Sequence, residues 1–222
     1  MKFILPIFLF QMVGGDPAPR YESLINFHEK ENTVFINPIS SEVEDPISYQ
    51  EIRMQAILNC KNAANVSNNS EKIIDDLIEI EQGYNVPTEL RGMLLAAACQ
   101  ESGYKPGALG DHRFSKSKKK AKAVGILQMW PWWEKPKHGY GIDRTDYKAA
   151  ARAWMAHIMS RLTKVKKICK YKTQERLWVA AWVTAIRAPK ADGRCREKPL
   201  HLALLKKWHR LIKVERNFNP GC

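Results

Sequence analysis

The run Leu90-Arg91-Gly92-Met93-Leu94-Leu95-Ala96-Ala97-Ala98-Cys99-Gln100 ends on a carboxylate, Glu101, followed at once by Ser102 and Gly103. Read as a helix, it places Leu90, Leu94, Ala97 and Glu101 on one face, so the carboxylate extends an apolar stripe. Taking water away from a carboxyl favours its neutral form, and an acid that keeps its proton near neutral pH can protonate a leaving group. Glu101 is therefore the candidate general acid. The alternative is a side chain that faces water at a fraying helix end, where Ser102-Gly103 turns the chain away.

Downstream come Val124-Gly125-Ile126-Leu127-Gln128-Met129-Trp130, then Pro131-Trp132-Trp133, and later Trp178-Val179-Ala180-Ala181-Trp182-Val183. In this order the segments resemble the lytic transglycosylases of the goose-lysozyme-like superfamily. Glu101-Ser102 matches the Glu-Ser that ends the family's catalytic helix, Gly125-Ile126-Leu127-Gln128 its Gly-Leu-Met-Gln type turn, and Ala181-Trp182-Val183 its Ala-Tyr-Asn type motif. The resemblance covers roughly residues 86–190. Three departures stand out: Trp182 replaces a tyrosine, Val183 an asparagine, and the lysine-rich stretch Lys116–Lys122 lengthens the link between Glu101 and Gln128.

The resemblance implies a mainly α, lysozyme-like α+β fold, a helical bundle around a buried catalytic helix with a small irregular or hairpin lobe. It also implies cleavage of the β-1,4 bond between N-acetylmuramic acid and N-acetylglucosamine in peptidoglycan, with no metal and no cofactor. Most glycosidases use two carboxylates, one to protonate the leaving oxygen while positive charge grows at the anomeric carbon. Asp111 is the nearest candidate for the second. Asp143 and Asp146 are others, and all three also read as turn or cap residues. A single acid suffices where the substrate's own N-acetyl group assists. In the implied mechanism Glu101 protonates the linkage, then takes the proton of the muramyl 6-hydroxyl as a 1,6-anhydro ring closes.

Supporting roles follow from residue type. Ser102 is placed to orient Glu101 or the acetamido group, Gln128 offers an amide to sugar or to Glu101, and Gly125 admits close approach of a glycan. Trp130, Trp132 and Trp133 present flat faces to sugar rings or to the core. Tyr104 either lines the cleft or packs. Trp182 enters the cleft only through the resemblance.

A chain of 222 residues with 45% hydrophobic content fits one core with an N-terminal extension. Lys2 and the apolar run from Phe3 to Phe10, followed by Gly14-Gly15, read as a secretory signal peptide, too short to span a bilayer. The expected organisation is a signal peptide over residues 1–18, an extension over 19–70 and the lysozyme-like domain over 71–215. The protein is expected to be secreted or periplasmic, where disulfides form. Cys169 with Cys195 is the expected bridge, tying the ends of the segment that carries Trp182, and Cys99 reads as a free, buried thiol.

Residues 101–222 hold 29 Lys and Arg against 9 Asp and Glu, and the first hundred hold the other 7 against 14. So basic a second half attracts polyanions in a salt-dependent way. The expected partners are peptidoglycan strands and anionic cell-surface polymers, acted on by a monomer. A nucleic-acid binder built on Lys116–Lys122 and Trp130 is the competing class; the signal peptide opposes it, and no nucleic-acid partner is expected. Within the cell-wall class two alternatives stay open: a lysozyme using Glu101 with an Asp-positioned water, and a non-catalytic glycan-binding relative.

Apolar periodicity places helices over 49–62 and 71–82, and another that Pro87-Thr88-Glu89 opens towards Glu101. Tyr147, Ala151, Trp154, Ile158 and Leu162 form one face of a long helix. Leu177 to Ala185 and Leu200 to Leu211 mark two more. The stretch from Gly103 to Trp133, rich in glycine, proline and lysine, is the irregular lobe.

Overall fold

A computed structural model describes residues 45–60, 69–111, 122–137, 139–170, 173–187, 195 and 199–218. They are mainly helical: α1 (Tyr49–Asn59), α2 (Asn69–Gln82), α3 (Met93–Ser102), α4 (Tyr147–Cys169), α5 (Gln174–Arg187) and α6 (Leu200–Phe218), with single turns of 3-10 helix at Thr88–Leu90 and Pro131–Glu134. Strands β1 (Leu109–Gly110) and β2 (Ala123–Val124) pair antiparallel, Leu109 opposite Val124. The expected signal peptide and most of the lysine-rich stretch lie outside the described residues.

The helix that carries Glu101 is apolar on every side as far as Cys99. Met93, Leu94, Leu95, Ala96, Ala97, Ala98 and Cys99 are all buried, as expected of a helix without a polar face. The stripe read from sequence is thus a rod enclosed from Met93 to Cys99, with Gln100 exposed beyond it, and Leu90 lies outside it in the preceding turn. Pro87 and Thr88 do not open α3 either. The chain makes its 3-10 turn, breaks at Arg91, and restarts at Gly92, whose φ of 87° is left-handed. A Cβ at Gly92 would stand 2.6 Å from Cγ2 of Ile52, so only glycine passes here.

An enclosed helix has no water for its first amides. The carboxylate of Glu81, itself fully buried near the end of α2, takes that place. Its Oε1 accepts from the Gly92 amide at 2.6 Å and its Oε2 from the Leu94 amide at 2.8 Å, with the Tyr49 hydroxyl donating at 3.2 Å. Burial pushes the Glu81 pKa up to about 7, against these donors, which favour the charged form.

The other helices are tied around this rod. α1 begins with a capping box in which Ser48 and Glu51 bond each other's amides. Arg216 on α6 grips Glu51 at 2.6 Å, which holds that carboxyl down at about 2. Asp76 on α2 receives the Tyr147 hydroxyl and the ammonium of Lys148, joining α2 to α4. α1 belongs to the same unit as the later helices, Glu44–Cys222, rather than to a separate extension.

Cys169 is bonded to Cys195. Cys99 is not a free thiol; it is bonded to Cys60, the residue that ends α1. The two lie 39 residues apart, and the bridge pins α1 to α3 two residues before Glu101. Among the described residues no helix is long and apolar enough to cross a membrane.

Two predictions follow from these ties. Replacing Cys60 and Cys99 together by serine should cost about 3–4 kcal/mol by loop-closure entropy and lower the thermal midpoint by on the order of 10 °C. For Glu81, whose carboxyl titrates near 4.5 when unfolded and near 7 when folded, the native state binds the extra proton between those values, so its contribution to stability falls as pH rises through them. His157 acts oppositely: burial lowers it from 6.5 to about 4, so its contribution is lost as pH falls through that range. Denaturant unfolding of wild type and Glu81→Gln at pH 5 and pH 8 cancels the histidine effect, and the advantage of wild type should be larger at pH 5. An advantage that grows at pH 8 would mean Glu81 is charged in the fold throughout.

Candidate functional site

The last turn of α3 brings the Glu101 carboxylate into a cleft of about 250 Å³ that it shares with Asp111, Gln128, Trp130, Trp133 and His201. Glu101 keeps 29% of its side chain exposed. The group is therefore in contact with the cleft rather than sealed in the apolar face that the sequence suggested.

Its Oε1 lies 2.7 Å from Nε2 of His201, in the first turn of α6 and a hundred residues further along the chain. The His201 ring is nearly parallel to the indole of Trp182, 11° between planes and 6.0 Å between centroids. Trp154 meets the other partner edge-on, at 86° to Trp182. His201 Nδ1 and Trp182 Nε1 are buried and have no hydrogen-bond partner among the described residues. Glu101 Oε2 has none there either, and it is the oxygen left for a ligand.

The hairpin lobe supplies the opposite residues. A tight turn folds Val124 back on Met129 through paired amide bonds of 3.1 and 3.0 Å. Gln128, at the turn's end, has φ of 46°, and its amide donates to the carbonyls of Ala108 and Gly125. The Gln128 Nε2 thus braces the lobe and is not available to Glu101. Asp111, also left-handed at φ 55°, accepts from the indole N–H of Trp130 at 3.0 Å. Trp130 remains 40% exposed at the cleft, with the Lys122 ammonium 5.5 Å from its ring centre.

Arg144 fixes the lobe to the body. Its guanidinium is buried and donates to the carbonyls of Lys122 and Met129, each at 2.7 Å, and to Glu134 at 2.8 Å. Gly125 packs on the backbone of this arginine: a Cβ there would fall 2.0 Å from the Arg144 carbonyl oxygen. The missing side chain is what that approach requires, and Gly125 is not part of the cleft lining.

Four other candidates serve the scaffold, which for Tyr104 and Trp132 is the packing alternative. Ser102 is buried, its hydroxyl donating to the Ala98 carbonyl and accepting from the Lys105 amide, so it closes α3 and does not reach Glu101. Tyr104 is buried beneath α3 with its hydroxyl on the Leu95 carbonyl. Trp182 is fully buried behind His201, outside the cleft lining. Trp132 packs with Trp133, Tyr140 and His157 in an aromatic cluster. Glu101, Asp111, Gln128, Trp130 and Trp133 are the expected residues that do converge on the cleft. His201 was not legible, since a histidine at the start of an amphipathic helix carries no motif.

Among the described residues no three His, Cys, Asp or Glu side chains converge as metal ligands would. The features define a mainly helical protein with a carboxylate and an imidazole paired in a tryptophan-walled cleft. No protein-family model, curated protein or solved structure matches the chain.

The lobe's dependence on Gly125 is testable. Gly125→Ala combines a strained left-handed alanine with a backbone clash and should cost about 3 kcal/mol, read as a lowered denaturation midpoint. Gly107→Ala, where a Cβ meets nothing within 4 Å, is the control; it should stay within about 0.5 kcal/mol of wild type.

Proposed function

We propose that this protein cleaves peptidoglycan glycan strands between N-acetylmuramic acid and N-acetylglucosamine, as a lytic transglycosylase, with Glu101 as the one catalytic acid and base. The observation that carries the reading is a carboxylate on the cleft with one oxygen held by His201 and the other without a partner among the described residues, beside the exposed face of Trp130. The resemblance of Glu101-Ser102 and of Gly125-Ile126-Leu127-Gln128 to that family's motifs supports it independently.

In this reading Glu101, in its acid form, delivers a proton to the glycosidic oxygen as the bond to the anomeric carbon breaks. The N-acetyl oxygen shields the developing positive charge. The carboxylate then removes the proton of the muramyl 6-hydroxyl, whose oxygen bonds to the anomeric carbon, giving a 1,6-anhydro end and regenerating the acid. Flat apolar rings such as Trp130 suit the faces of sugars. Two disulfides and an N-terminal stretch with signal-peptide character support an exported protein.

Asp111 on the same cleft favours a second outcome, hydrolysis, in which it positions a water against the anomeric carbon. Product chemistry separates the two. Digestion of sacculi by the wild type should release muropeptides one water lighter than their reducing-end equivalents, as judged by mass spectrometry, and Glu101→Gln should release none. Reducing-end products would assign the lysozyme route. If wild type binds sacculi and releases nothing, the protein is a glycan-binding relative and not an enzyme.

A further inference from the structure

We infer that His201 is the positioning residue of Glu101: it divides the work of the two carboxyl oxygens, fixing Oε1 as the acceptor and leaving Oε2 to carry the transferred proton. The inference rests on the glycan-cleaving reading. It starts from a fact of chemistry, that an ionised carboxylate only accepts hydrogen bonds. At 2.7 Å from Oε1, His201 Nε2 must then bear the hydrogen, which in a neutral ring leaves Nδ1 bare. The bare Nδ1 agrees with its surroundings, because that atom is buried with no partner among the described residues.

The same tautomer serves the protonated acid. With a proton on Oε2, Oε1 is the carbonyl oxygen and still accepts from Nε2–H. Neither the ring nor the carboxyl has to turn between donating the proton and taking back that of the 6-hydroxyl. The alternative, a proton on Oε1 directed at Nε2, would put the hydrogen on Nδ1, where no described residue receives it, and would aim the acid away from the substrate. Burial of an unpaired N–H is costly, so the geometry selects against that state.

What keeps the ring in place is packing. The His201 side chain is only 4% exposed and lies flat on Trp182, which Trp154 backs edge-on. A rigid ring presenting one donor to one oxygen is preorganised and needs no reorientation as charge shifts on the carboxyl.

Two variants separate donor from packing. His201→Phe keeps a flat ring on Trp182 and removes the donor; His201→Gln places an amide N–H at comparable reach. On soluble uncrosslinked glycan strands, with the full-length chain, His201→Phe should lower kcat by about 10²–10³ and change KM by less than about threefold, the scale of losing one preorganised donor. His201→Gln should recover activity to within about tenfold of wild type. Phe as active as wild type, beside an inactive Glu101→Gln, overturns the inference alone. So does Gln as poor as Phe, since packing is then the whole effect. A wild type that cleaves nothing overturns the functional reading and this role with it. Should His201→Phe fail to fold, nitrogen NMR of the wild-type ring decides: an Nε2–H tautomer that persists across the pH range of activity is expected, and an Nδ1–H tautomer overturns the assignment.

Discussion

A helix enclosed on all sides must find partners for its end groups inside the protein, and that constraint organises this fold. The first amides of α3 cannot reach water, so α2 sends a carboxylate to them, and the Tyr49 hydroxyl arrives from α1 to complete its shell. Glu81 therefore sets the spacing of three helices at once. At the other end, the Gly103 amide closes on the Cys99 carbonyl at 2.9 Å, and the Ser102 hydroxyl takes the Ala98 carbonyl. The rod is stoppered at both ends, and the residue just before the second stopper is Glu101. Its position is fixed by backbone bookkeeping that has nothing to do with sugar.

The hairpin lobe obeys a different rule. Its described β ladder is four residues, too little to be stable by itself, since isolated short strands are marginal in water. Arg144 reinforces this short ladder by donating to two lobe carbonyls, and Gly125 lets the two backbones touch. Three non-glycine residues between Gly103 and Trp133, namely Tyr104, Asp111 and Gln128, are held in left-handed conformations, and the last two border the cleft. Strain of this kind persists only where the surroundings over-determine it. Here the Trp130 indole holds Asp111 and the Ala108 and Gly125 carbonyls hold Gln128.

Legibility followed the range of the interaction. The six helices were readable because periodicity is local: Ile73, Ile74 and Leu77 point inward at helical spacing whatever packs on them. The break at Arg91-Gly92 was missed because Pro87 and Thr88 look like a good helix start, and the reason Gly92 overrides them is Ile52 on another helix. Cys60 with Cys99 was hidden in the same way, since no sequence pattern brings the end of α1 beside the middle of α3. Glu81 read as one more residue of an amphipathic helix, and only the packed neighbours reveal its burial. At the cleft, motif order pointed to Glu101 and Gln128, the need for a second carboxylate to Asp111, and residue type to Trp130. Ser102, Tyr104, Gly125 and Trp182 have types that suit a site, but their bonds or packing serve the scaffold.

Trp182 shows why residue type alone is a poor guide to role. An indole offers one donor and no acceptor, and this one makes no hydrogen bond within the described residues. It can therefore neither orient a carboxylate nor accept from a sugar. What it supplies is a plane. His201 lies along that plane within 11°, and a ring confined to a plane presents its nitrogens in two fixed directions, of which one meets Glu101. The polar contact at the carboxylate comes from α6, and α5 provides the surface that aims it. Apolar contact sets direction, and direction gives a single hydrogen bond its specificity.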